Sequence, residues 1–277
     1  MEKTVKENML GAAVLESVKA VQDLGYTVLY AANYGSHNYN LDIYNEEYNS
    51  DIDTKVIILP TLEELVRNSK PVSTTIEIST GQCDIKDIRA FIQTLLKANI
   101  QFLEVLKAES YWINFDYIED FKWFIDNLDE LIKGNKPQLL KSIYGMSLEK
   151  KKALCHPYPT IKWKIDKYGY DGKQLHHIMR LKNFIDRYFY GSENFEEAIR
   201  FKNDTLEKEQ LIEAKLNHYP LKAAQDFAEM YCNIIEKDTR KLMDNLTQNN
   251  EIKEEYLKKS QEIIIKNIKN KILEENK

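Results

Sequence analysis

The chain has 277 residues, 43% of them apolar and 30% charged, with a formal charge of −5. Such a composition fits one large or two smaller globular domains and excludes a fibre or a disordered tail. The acidic balance excludes a protein that coats DNA regardless of sequence, although residues 146–187 carry ten Lys and Arg against four Asp and Glu.

In chain order, Glu2 to Leu24 keeps apolar residues at helical spacing and stops at Gly25, which predicts a helix. "YTVLYAANYG" reads as a short buried strand ending at Gly35, and Asn38 to Ser50 as a long polar loop. "DIDTKVIILP" is the best strand pattern, closed by Pro60. Thr61 and Glu64 have the spacing of a capping box. "VSTTIEIST" predicts a third strand, "TGQC" a turn and "CDIK" a short return strand. A helix is expected from Asp87 to about Glu109, with Ile88, Phe91, Ile92, Leu95 and Leu96 at core spacing. Beyond it the pattern is helical: near 116–133, 138–144, 172–190, 194–203, 206–217, 220–245 and 251–276. The fold class expected is α+β, with a small mixed-sheet domain over residues 1–110 and an all-helical one over 111–277.

Three distant cysteines, Cys83, Cys155 and Cys232, with no C-x-x-C pair read as a reduced cytoplasmic protein. The first ten residues lack the apolar centre of a signal peptide. No apolar run approaches the ~20 residues a membrane span needs, so no membrane partner is expected.

The chemistry concentrates between Tyr34 and Pro60. On a strand, residues two apart share a face, so Asp51 and Asp53 point the same way while Ile52 turns into the core. Paired carboxylates repel, and a divalent cation relieves the repulsion. A bare D-x-D is more often a solvated strand start, and "GS" alone is more often a plain turn. Together they suggest more: Gly35 lets backbone approach a phosphate, and Ser36 adds a hydroxyl and an N–H to an anion nest. A third carboxylate would come from Glu77 or Asp84, with Glu77 favoured for its clearer strand.

This order of motifs resembles the DNA polymerase beta-like nucleotidyltransferase superfamily, and within it a branch of bacterial and phage nucleotidyltransferases, some linked to RNA repair. The narrower likeness rests on "GSHNYNL…SDID", on "DIRAFIQTLLKANIQFLEVL" with Asn99, Leu103 and Glu104, and on "YDGKQLHHIMRL" with Lys173, His177, Arg180 and Leu181. It covers Tyr34 to about Gly191, and Asn40 stands where the branch often has glycine. The resemblance implies a nucleoside triphosphate donor, Mg²⁺ or Mn²⁺, and transfer of a nucleoside monophosphate to an acceptor hydroxyl, on an RNA end or a protein. It implies that Asp51, Asp53 and Glu77 or Asp84 bind metal, that Ser36 holds the triphosphate tail, and that Lys173, His177 and Arg180 supply positive charge. The rival expectations are a surface helix with a basic stripe for those three residues, and a nucleotide- or RNA-binding module without turnover for the whole. The aromatic run "YWINFDYIEDFKWFI" reads as core rather than as a base-stacking platform, because Phe121, Phe124 and Ile125 keep helical spacing.

Overall fold

The structure, a computed structural model, describes residues 3–275. The expected helix ends at Glu2 and Asn276 lie outside the described residues. By packing, the chain divides into two compact units, one of Met1–Asn38, Ser50–Asn135 and Asn249–Lys277, the other of Tyr39–Asn49 and Lys136–Gln248. The fold is α+β, and the five strands among the described residues form one mixed sheet.

Unit 1 opens with helix α1 (Lys3–Asp23), which Gly25 ends at a φ of +86°. Strands β1 (Thr27–Asn33) and β2 (Thr54–Leu59) follow. The short helix α2 (Leu62–Val66) starts at Thr61 with the expected capping box: the Thr61 hydroxyl accepts from Glu64 N, and Thr61 N donates to the Glu64 carboxylate. Strands β3 (Ser73–Ile78) and β4 (Gly81–Asp87) form the expected hairpin. The sheet order is β3-β4-β2-β1-β5, with β2 and β4 parallel and the other pairs antiparallel.

Alternation gives this sheet two faces, both with buried apolar residues. Val28, Ala31, Val56, Ile58, Cys83 and Ile85 pack against Val14, Val18 and Val21 of α1. Their neighbours along the strands, Lys55 on β2 and Asp84 on β4, therefore turn to the opposite face.

The helix expected from Asp87 to Glu109 is broken. Asp87 caps α3 (Ile88–Leu96), and Ala98 then takes a φ of +52°. Asn99 caps α4 (Ile100–Leu103) by accepting from Gln101 N at 3.0 Å. The region expected to be all helical also contains a strand, β5 (Tyr111–Ile113), which pairs with β1. Helices α5 (Ile118–Asp126) and α6 (Leu128–Gly134) complete this stretch, and Phe121 and Phe124 are fully buried, as the core reading requires.

Unit 2 contains α7 (Lys136–Ala153), α8 (Lys162–Tyr168), α9 (Gly172–Arg187), α10 (Phe195–Ile199), α11 (Leu206–Lys215) and α12 (Leu221–Met243). α9 packs against α7, α11 and α12. It approaches α11 closely at Gly172, where an added Cβ would lie 2.2 Å from the Ala214 carbonyl oxygen.

The last helix, α13 (Glu251–Glu275), belongs to unit 1. Tyr256 Oη donates to Phe124 O at 2.9 Å, and Lys259 and Lys266 each meet the Asp120 carboxylate at 2.8 Å. Ile252, Tyr256, Ile263 and Ile264 of this helix are buried.

Candidate functional site

The Gly-Ser turn and the aspartate pair meet at the end of β1. Gly35–His37 form one turn of 3-10 helix, entered at Gly35 with a φ of +80°, a backbone region that favours glycine. Tyr34 N donates to the Asp53 carbonyl oxygen at 3.1 Å, so the turn is tied directly to the acid segment. Two buried amides brace it: Asn33 Nδ2 donates to Asn38 Oδ1 at 2.7 Å, and Asn38 Nδ2 returns to Asn33 O at 3.2 Å. Ser110 N donates to Asn33 Oδ1 at 2.9 Å, which locks the start of β5 to the same turn. The buried Asn33–Asn38 clamp had a signal in sequence, two amides flanking Gly-Ser, that motif reading passes over.

Ile52 is buried with Leu10 and Ala13, as alternation requires, while Asp51 is exposed and Asp53 half-buried. Asp53 Oδ1 accepts from Gln82 N at 3.0 Å. That contact depends on Gly81, where an added Cβ would lie 2.8 Å from Ile52 O and 3.0 Å from Asp53 Oδ1. Asp51 and Asp53 precede β2, which begins only at Thr54.

The register settles which acid stands next to β2. Lys55 lies opposite Asp84 in the parallel β2–β4 pair, and Asp84 lies opposite Thr75 in the β3–β4 hairpin. Asp84 is therefore on the adjacent strand. Glu77 is on edge strand β3, one strand further out, exposed, and accepts from Gln82 Nε2 at 3.0 Å. Strand spacing of about 4.8 Å makes that extra strand decisive for a shared ligand.

Sequence reading missed Lys55. Its side chain is 3% exposed, and its Nζ forms an ion pair with Asp84 Oδ2. Lys86 Nζ takes the other carboxylate oxygen, Oδ1, at 2.9 Å. The Lys55 ammonium also lies 4.4 Å from the Tyr34 ring centroid and 4.3 Å from that of Phe102, both within cation–π range. Burial pulls the Lys55 pKa down, and Asp84 opposes that pull. The Tyr34 phenol is pushed well above its ordinary range by burial and then by Asp53 and Asp84. The signal was present: Lys55 is two residues beyond Asp53, on the same face by simple alternation.

These residues do not fit a three-carboxylate metal centre. Among the described residues no group of three or more His, Cys, Asp or Glu is arranged to hold a metal ion. Both oxygens of Asp84 already meet ammonium groups, and Glu77 stands one strand away.

The other three predicted residues belong to unit 2. Lys173 and His177 are half-buried, and Arg180 is only 6% exposed. The Arg180 guanidinium stacks 3.6 Å from the Tyr39 ring centroid, and its Nη2 meets His177 Nδ1 at 3.3 Å. Burial and then Arg180 hold His177 well below its ordinary pKa. The same causes hold His176 at about 3, and its Nδ1 meets Leu211 O at 2.9 Å, consistent with a structural role. Arg180 thus faces inward within unit 2 instead of forming part of an exposed basic stripe. Nearby lysines are paired too: Lys164 with Asp171, and Lys182 with Asp186 and Asp238. Asn40 has a φ of +57° and donates from Nδ2 to Phe201 O at 2.8 Å, so a left-handed position is filled by a residue that tolerates it. Unit 2 also has a cleft of about 940 Å³, lined in part by Arg187, Ser192, Arg200 and Phe201; no predicted site residue lines it.

No family model matches the chain, and no curated protein matches it. Among solved structures it is similar to a nucleotidyltransferase-like protein from Exiguobacterium sibiricum 255-15, at 11% identity and a TM-score of 0.29, over 81% of this chain and 72% of that one. A likeness so distant carries no weight on activity. No described helix is long and apolar enough to cross a membrane.

Proposed function

We propose that this protein is a nucleotidyltransferase that binds a nucleoside triphosphate at the Gly35–Ser36 turn and moves its nucleoside monophosphate to an acceptor hydroxyl. The observation that carries this reading is the hydrogen bond from Tyr34 N to Asp53 O, which fixes the anion-type turn beside the acid segment. In the reaction the acceptor oxygen bonds to the α-phosphorus, the bond to the bridging oxygen breaks, and pyrophosphate leaves with that electron pair. Ser36 would hold the tail, and Asp53 would take the acceptor proton. An RNA end or a protein hydroxyl is the acceptor class in view. Asp84, paired with Lys55 and Lys86, would take no part in holding Mg²⁺ or Mn²⁺.

The test is transfer of label from α-phosphate-labelled nucleotides to a mixed RNA and protein pool, with the Asp51→Asn, Asp53→Asn double variant as control. Label should move with the unchanged chain and not with the variant, whose melting should stay within a few degrees. Transfer that survives the double change overturns the assignment. A second reading, a nucleotide- or RNA-binding module without turnover, is favoured by the two lysines on Asp84. Tight nucleotide binding without pyrophosphate release would select it.

A further inference from the structure

We infer that Lys55 is the resident cation between β2 and β4, holding Asp84 so that this carboxylate is not a metal ligand in the unaltered protein. The inference takes its meaning from the nucleotide site proposed at the neighbouring Gly35–Ser36 turn, but its test does not depend on that site.

The pair is built into the sheet. Parallel register sets Lys55 opposite Asp84, on two hydrogen-bonded strands, so neither side chain depends on a loop to find the other. The Lys55 side chain is only 3% exposed, and aromatic rings lie 4.4 and 4.3 Å from its ammonium. Lys86 completes the arrangement on the second oxygen at 2.9 Å. A divalent ion takes oxygen ligands and keeps most of its water until a ligand replaces it. Here the oxygens it needs are already accepting from two ammonium groups. A metal that uses Asp84 must displace Lys55 from between Tyr34 and Phe102 and leave a lysine charge beside its own. Such repulsion lowers metal affinity directly. Removing the Lys55 charge frees Asp84 Oδ2, with Lys86 still on Oδ1, and should therefore raise the affinity for a divalent ion.

The experiment is titration of the full chain with Mn²⁺ alone, no nucleotide present, so failure of the transfer reading leaves the result intact. Lys55→Met should bind Mn²⁺ at least tenfold more tightly than the unaltered chain. Lys55→Arg should behave as the unaltered chain, and adding Asp84→Asn to Lys55→Met should abolish the gain. Equal Mn²⁺ affinity in Lys55→Met and the unaltered chain overturns the inference. Should Lys55→Met fail to fold, Asp84→Asn alone decides. It should leave Mn²⁺ affinity within twofold of the unaltered value, or undetectable in both, whereas a tenfold loss shows that Asp84 is a ligand after all and overturns the inference.

Discussion

The two units bury a cation in opposite ways. In unit 1, Lys55 is matched by the Asp84 carboxylate, and two rings flank it. In unit 2, Arg180 lies against the Tyr39 ring and a histidine, and the neighbours adapt by staying neutral. Burial and then Arg180 hold His176 and His177 below their ordinary pKa. Compensation by an opposite charge ties a cation to one partner. Accommodation by uncharged neighbours makes the surroundings sensitive to acid instead.

The strongest way to break this comparison is to remove the charge in unit 1. Lys55→Ala should cost about 3 kcal/mol, near the lower end for losing one partner of a buried pair because Lys86 remains on Asp84; urea unfolding followed by tryptophan fluorescence measures it. In unit 2, Gly172→Ala should cost about 2.5 kcal/mol, since the new methyl meets the Ala214 carbonyl at 2.2 Å and backbone must shift. An unchanged urea midpoint would mean that α9 and α11 can move apart freely.

Acid distinguishes the units next. His176 binds its proton at about 3 in the folded chain and near 6.5 when unfolded, so the unfolded state takes up more protons below pH 6.5. Its stabilising contribution is full above that pH and is lost as pH falls through the window from 6.5 to 3. At pH 5 the loss from this residue alone should be about 2 kcal/mol. Urea midpoints between pH 7.5 and 5 should fall for the parent and fall less for His176→Gln. The smallest effect belongs to Gly35→Ala. No atom lies within 4 Å of the new Cβ, so only the +80° φ is penalised, by about 1 kcal/mol. Triphosphate binding by fluorescence anisotropy should weaken more than stability does.

The sequence made much of unit 1 legible, because strand alternation is a local rule. Ile52 inward, the Thr61 capping box and the β3–β4 hairpin all follow from residues a few positions apart. Lys55 followed from the same rule but was read as part of an apolar run. That Asp84 would stand opposite it was not legible, since parallel pairing of β2 and β4 is a non-local choice. A period of 3.6 residues sets Lys173, His177 and Arg180 near one face of α9, yet it says nothing about whether that face looks inward. β5 escaped because three residues in an aromatic stretch carry too short a pattern to separate strand from helix.

Residues 249–277 complete a body that the first 38 residues begin, and unit 2 is encoded between them. During synthesis, the ribosome delivers the whole of α7 to α12 before the helix that places Tyr256 on Phe124 and two lysines on Asp120. Helices α3, α5 and α6, on which α13 packs, must therefore wait for the latest-made segment of their own unit. A chain stopped before Glu251 would lack α13 and with it the contacts to Phe124 and Asp120.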